Sequence, residues 1–287
     1  MITLTEGAFA KLNLTLDVLE RREDGFHNLR SVMQTVSLRD DVQINLDTGK
    51  PWRIVCSTEG IPCDETNLAW KAARVYFDAL GTAPDGLEIR IDKRIPSGAG
   101  LAGGSADAGA VLRALNRYYG APLPTDALCA LGAQVGSDVP FCVLCGTALA
   151  EGKGERLTKL PDAPELFYVI CKPEFSLSTA ELYQKLDCIT VRRRPDADAM
   201  CLALRNGDLE GIGRNLSNVF EEAVLPEHPE IGRIKSALLS CGACGAQMTG
   251  SGSAVFGIFA SLAGAKAASA MLKENEFRVF VAKNVSH

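Results

Sequence analysis

Apolar and polar residues alternate from residue 8 to residue 18, AFAKLNLTLDV. Leu12, Leu14, Leu16 and Val18 fall on one side, and Lys11, Asn13, Thr15 and Asp17 on the other. Period two predicts a half-buried strand whose polar side, with Lys11 and Asn13, points away from the core. A polar turn follows at Asp24-Gly25, and further strands are expected near 31–38, 41–47 and 52–57. Asp64-Glu65-Thr66-Asn67 starts a helix that runs through LAWKAARVYFDAL and stops at Gly81. LEIRID (87–92) alternates as a strand, a glycine-rich stretch follows, and Ala106 to Tyr118 repeat with helical period up to Gly120. A helix is expected at 126–134, then a strand over FCVLCGTALAE and a turn at Gly152-Lys153-Gly154. Prolines at 161 and 164 suggest a boundary near 160, dividing the chain into 1–160 and 161–287. The second part reads as a strand LFYVIC, helices at 178–186, 196–206 and 229–240, two strands flanking Gly250-Ser251-Gly252, a helix at 262–274 and a strand at 277–282. That order suits a β-α-β-β-α-β sandwich with extra helices.

The 287 residues carry a net charge of −5, with 47% hydrophobic and 23% charged residues, an ordinary globular composition. The absence of a basic excess disfavours a nucleic-acid partner. No apolar run is long enough to span a bilayer and the N-terminus lacks the pattern of a secretory signal, so a cytoplasmic protein without membrane partners is expected. Four of the ten cysteines invite a metal reading, as the pairs Cys142/Cys145 and Cys241/Cys244. Small core thiols in a reduced protein are the plainer reading, because Cys142 and Cys145 sit in an apolar run.

Gly98-Ala99-Gly100-Leu101-Ala102-Gly103 matches a dinucleotide-binding fingerprint. The surrounding order opposes it: Pro96-Ser97 separate strand from glycines, and no second strand ending in an acidic residue follows. No Walker A sequence occurs either. Phosphate binding is still the reading the physics favours. Four glycines among residues 98–104 let backbone N–H groups approach a ligand, and the helix after them adds its unbonded amides and partial positive charge. In a chain of negative charge, such fixed dipoles hold an anion without a basic patch.

Three segments resemble one family. PSGAGLAGGSAD resembles the phosphate-loop signature of GHMP kinases (galactokinase, homoserine kinase, mevalonate kinase and relatives). AFAKLNL resembles their first motif, and QMTGSGSAVFGIF their third. AKLNLTLDVLERREDGFHNL and GSDVPF resemble, more specifically, members that act on an alcohol bearing a cytidine diphosphate group. The homoserine and mevalonate types are the alternative. The resemblance implies an α+β, two-domain GHMP kinase fold, with an N-terminal domain like domain 2 of ribosomal protein S5 and a C-terminal ferredoxin-like α/β sandwich. It implies ATP and Mg2+ as cofactors, and a monomer or homodimer.

It also implies site residues. Pro96, Ser97, Gly98, Ala99, Gly100, Leu101, Ala102, Gly103, Gly104, Ser105 and Ala106 would hold ATP, with Gly250, Ser251 and Gly252 as a second glycine loop. Asp138 would be the general base, and Lys11 would keep it ionised and offset developing charge. Asn13, Phe26, His27 and Thr179 would hold the substrate, Phe26 stacking on the base and His27 hydrogen-bonding it. Ser105 is the candidate magnesium ligand. Without the family, Asp138 reads equally well as a helix N-cap, Lys11 as a solvated strand lysine and His27, one of three histidines with His228 and His287, as a loop histidine.

Overall fold

The computed structural model describes residues 1–273 and 277–286; His287 lies outside them. The first elements are β1 (Ile2–Asn13), β2 (Thr15–Arg21), β3 (His27–Leu46), β4 (Arg53–Cys56), α1 (Leu68–Leu80), β5 (Leu87–Asp92) and α2 (Gly103–Tyr118). Next come α3 (Thr125–Val135), α4 (Val139–Leu144), β6 (Thr147–Gly152), β7 (Arg156–Lys159), β8 (Phe167–Pro173), α5 (Thr179–Asp187), α6 (Ala197–Asn206) and α7 (Leu209–Asn215). The last are β9 (Ser217–Asn218), α8 (Phe220–Val224), α9 (Pro229–Ser240), β10 (Gly245–Met248), β11 (Val255–Phe259), α10 (Leu262–Leu272) and β12 (Phe277–Lys283).

The chain forms two compact units by interleaving. One comprises Met1–Ala10, Arg39–Ile95 and Ala102–Cys145; the other comprises Lys11–Leu38, Pro96–Leu101 and Gly146–His287. The long strands β1 and β3 each give one part to each unit.

In the first unit the C-terminal half of β3 pairs antiparallel with β5, from Asp41 opposite Asp92 to Leu46 opposite Leu87, and β4 runs parallel to β5. Helices α1, α2, α3 and α4 pack against one another. Helix α1 shows how local chemistry sets these elements. The Asn67 side chain accepts the Ala69 amide at its start, and Gly81 ends it at φ +65°. Ala69, Ala72, Ala73, Tyr76 and Phe77 line its buried stripe at helical spacing.

In the second unit β2 and the first half of β3 form a hairpin, β6 pairs with β3, β7 with β6, and β9 adds parallel to β2. A separate antiparallel sheet has the order β10-β11-β8-β12. With α9 and α10 packed on it, this is the expected β-α-β-β-α-β arrangement, β8 lying between the last two strands. Its core joins Val169, Cys171, Val255 and Phe259 to Leu238, Ala265 and Leu272.

Three expectations change. The single strand expected at 8–18 is divided at Leu14 between β1 and β2, and Lys11, Asn13, Thr15 and Asp17 are buried along with the leucines that alternate with them, so the polar side does not face water. Alternation fixes which residues share a face, but not whether that face is covered. The strands expected at 31–38 and 41–47 are one continuous twenty-residue strand, β3. Phe141–Leu144, expected to be strand, belongs to helix α4, and strand begins only at Thr147. A short apolar run does not distinguish the two periods. The helix expected at 262–274 is α10 up to Leu272; residue 274 lies outside the described residues.

Candidate active site

The glycine stretch builds a concave run of backbone. Gly98 has φ +60°, Gly100 +72° and Ala102 +57°, alternating with residues of ordinary φ. Such alternation turns successive N–H groups toward one side. Gly103 and Gly104 instead open α2, where a Cβ on Gly103 would lie 3.1 Å from Ile95 Cγ2. The cap residue Ala102 offers no side-chain acceptor to the first turn of this sixteen-residue helix, so its leading amides are not used up by a capping side chain.

Residues 96–101 lie in the same unit as the second glycine loop, and the two interlock. The Ala254 amide donates to the Ala99 carbonyl at 3.2 Å, and the Thr249 hydroxyl to the Gly100 carbonyl at 3.4 Å. A Cβ on Gly100 would run into the Thr249 carbonyl oxygen, and one on Gly250 would sit 2.8 Å from the Gly100 carbonyl. Both positions therefore require glycine twice over, for close approach and for positive φ. Gly252 also has positive φ, at +82°. A Cβ on Gly98 would come within 2.6 Å of Ser176 Oγ.

Several side chains brace this pair of turns. Asn218 Nδ2 donates to the carbonyls of Met248 and Gly250, both at 2.8 Å. Ser253 Oγ donates to the Phe175 carbonyl, and the buried Lys172 ammonium to the carbonyls of Pro173 and Phe175 at 2.7 Å. Burial, followed by the charge of Arg278, lowers the Lys172 pKa. At the edge, Thr179 Oγ1 meets Ser251 Oγ at 2.7 Å.

Lys11 joins the same group. Its amide donates to the Leu101 carbonyl at 3.2 Å, and its ammonium to Asn13 Oδ1 at 2.6 Å. Asn13 Nδ2 passes the chain on to Ser31 Oγ, which donates to the Thr15 carbonyl. The Asn13 amide donates to Thr249 Oγ1 at 3.1 Å, and Gln247 Nε2 to the Asn13 carbonyl. Lys11 is 4% exposed and Asn13 1%, which rules out a solvated strand lysine.

At the end of the β2–β3 hairpin, His27 Nε2 meets Asp187 Oδ1 of α5 at 2.7 Å, and its ring stacks on Tyr183 at 5.0 Å and 18°. Neighbouring Phe26 is 55% exposed, with the Lys153 ammonium 4.8 Å from its ring centroid.

Asp138 lies in the other unit, half-buried, at the N-cap position of α4. Its side chain makes no capping hydrogen bond to that helix, so the capping role that Ser137-Asp138-Val139-Pro140 suggested is not what it performs. In that unit, too, Lys93 Nζ bridges Asp40 at 2.5 Å and Asp107 of α2 at 2.7 Å, all three being buried. Burial lifts the Asp107 carboxyl to about 7, against the pull of the Lys93 ammonium and with the charge of Asp40 adding to the rise. Oδ1 of Asp107 is buried and has no hydrogen-bond partner among the described residues.

The structure thus brings Lys11, Asn13, Gly98–Leu101, Gly250–Gly252 and Thr179 into one bonded network. Sequence reading overlooked Thr249, Asn218, Gln247, Ser253 and Asp187. Gln247, Thr249 and Ser253 lie in the segment QMTGSGSAVFGIF around the second glycine loop, a readable signal; Asn218 and Asp187 are isolated polar residues with no motif. Among the described residues no three His, Cys, Asp or Glu side chains cluster as metal ligands, and none of the ten cysteines is in a disulfide, so the two cysteine pairs form no such cluster.

Residues 67–146 match the GHMP kinases N terminal domain, and residues 201–277 the GHMP kinases C terminal domain. The 4-diphosphocytidyl-2-C-methyl-D-erythritol kinase of Caldicellulosiruptor saccharolyticus is 46% identical over 266 residues, 93% of this chain and 91% of that protein. The protein of the same name from Exiguobacterium sibiricum is 44% identical over 257 residues, 90% and 89% of the two chains. A crystal structure of 4-(cytidine 5'-diphospho)-2C-methyl-D-erythritol kinase matches with a TM-score of 0.81 at 31% identity, covering 99% of this chain and 100% of that one. Homoserine kinase from Cytophaga hutchinsonii shares the fold, with a TM-score of 0.78 at 21% identity over 99% of this chain and 95% of that one. With its glycine turns, its first motif and both domains accounted for, the chain belongs to the GHMP kinase family, among the 4-diphosphocytidyl-2-C-methyl-D-erythritol kinases.

Proposed function

We propose that the protein transfers the γ-phosphoryl group of ATP to the 2-hydroxyl of 4-diphosphocytidyl-2-C-methyl-D-erythritol, a step in the non-mevalonate route to isoprenoid precursors. The observation that carries this reading is the interlock of the turns around Gly100 and Gly250, with the Lys11 amide bonded to the first of them. A rigid backbone concavity suits a triphosphate, because phosphoryl transfer asks mainly for positioning and charge compensation. Residues 1–160 would supply the ATP loop 96–106 and both catalytic side chains; residues 161–287 would supply the second loop Gly250-Ser251-Gly252 and Thr179.

In this reading Asp138 accepts the proton of the substrate hydroxyl as that oxygen attacks phosphorus. Lys11 offsets charge that develops in transfer, and Asn13 holds the Lys11 ammonium in place through the 2.6 Å bond. Phe26 and His27 take the cytosine, and Thr179 a further part of the substrate. Magnesium, when bound, neutralises triphosphate charge and takes most of its ligands from phosphate and water, which asks for no acidic cluster. The half-buried hydroxyl of Ser105 in the first turn of α2 fits as its one protein ligand.

The test is a coupled kinase assay with ATP-Mg and purified alcohols. Turnover of 4-diphosphocytidyl-2-C-methyl-D-erythritol is expected. Turnover of homoserine or mevalonate without it would overturn the substrate assignment.

A further inference from the structure

We propose that Asp187 is a positioning residue that sets base selectivity. It holds the His27 ring with its proton on Nε2, so that Nδ1 offers a lone pair to the exocyclic amine of cytosine and none of the N–H groups a uracil carbonyl would need. The inference rests on the reading above that His27 meets the substrate base.

His27 opens β3 directly after the hairpin turn, with Arg21 opposite it on β2, and its side chain is 6% exposed. An ionised carboxylate only accepts hydrogen bonds, so the 2.7 Å contact from Nε2 to Asp187 Oδ1 places the donor hydrogen on Nε2. Tyr183 lies one helical turn before Asp187 on α5 and stacks on the imidazole, which fixes the plane that Asp187 fixes in rotation. Among the described residues nothing bonds Nδ1. The placement of Asp187 also runs against helix electrostatics. It is the last residue of α5, where the helix dipole disfavours an anion. The nearby Lys185 pairs with Glu227. The carboxylate is thus spent on the histidine. Cytosine presents an amine donor where uracil presents a carbonyl acceptor. A lone pair on Nδ1 accepts from the first and repels the second, and a site built around one hydrogen bond rejects the wrong partner strongly.

Nitrogen-15 NMR of the full-length protein reads the tautomer directly: Nε2 protonated and Nδ1 bare in the wild type, with a mixture in Asp187→Ala. Titration with CMP and UMP then reads selectivity without any phosphoryl transfer. The wild type should prefer CMP, Asp187→Ala should lose about tenfold or more of that preference, and Asp187→Glu should restore part of it. In turnover, KM for the substrate should rise more than kcat falls. A proton on Nδ1 in the wild type, or an unchanged CMP-to-UMP ratio in Asp187→Ala, would overturn the inference. A protein that keeps the CMP preference but phosphorylates no cytidine diphosphate alcohol would sink the proposed function and leave this assignment standing.

Discussion

Asn13 and Thr249, 236 positions apart, are joined by a single buried hydrogen bond, the Asn13 amide donating to the threonine hydroxyl at 3.1 Å. The same hydroxyl donates to the Gly100 carbonyl, so one oxygen links the first motif to both glycine turns. Thr249→Val keeps the shape and removes that oxygen, leaving a buried amide unpaired. A loss of about 1–3 kcal/mol in urea unfolding is expected, with a raised KM for ATP. Thr249→Ser should recover most of both. Equal stability of the valine variant and the wild type would show that the link carries no weight.

Glycine matters at position 100 and much less at position 104. Gly100→Ala places a methyl group on the Thr249 carbonyl in a left-handed backbone. ATP binding, read by calorimetry, should fall below detection or nearly so. At Gly104 a Cβ meets only Leu68 Cδ1, at 3.5 Å, inside a helix where alanine is favoured. Gly104→Ala should unfold no more easily than the wild type.

Asp138→Asn and Lys11→Met should each lower kcat by about 10²–10⁴-fold while ATP still binds. Steady-state rates with a nucleotide titration check both. A rate within a few-fold of the wild type for Asp138→Asn would remove it as the base.

The buried Lys93 cluster predicts a pH signature. The Asp107 carboxyl is lifted to about 7 in the folded protein. A raised folded pKa means stability that is complete below the unfolded pKa and is lost as pH rises through the folded value. Between pH 6 and pH 8 the wild type should therefore lose on the order of 1 kcal/mol relative to Asp107→Asn. Parallel unfolding curves at the two pH values would exclude ionisation of this group as the cause.

Much of the fold was legible because its signals are local. Asn67 and Gly81 delimit α1 as read, and LEIRID became β5 without change. The glycine pattern at 98–104 and the motif around Lys11 were visible because their chemistry needs particular residues in a row. What stayed hidden was set by distant partners. Buried Asn13 is bonded by residues more than 200 positions away, Gln247 and Thr249, and buried Lys11 by the carbonyl of Leu101, 90 positions on. Helix α4 replaces the expected strand because Pro140 sits in its first turn and the apolar run after it is short enough for either period. Asp187 carries no motif, and only its contact with His27 singles it out.

The hydroxyl of Thr249 reaches the carbonyl of Gly100 across 149 positions of chain. During synthesis the first glycine turn therefore leaves the ribosome long before its mate exists, and waits unbraced while everything between them is made. Closing so large a loop is slow and comes late. A nascent chain that stops short of Thr249 would hold every residue of the first turn without its brace, so under the proposed function ATP affinity would report completed assembly.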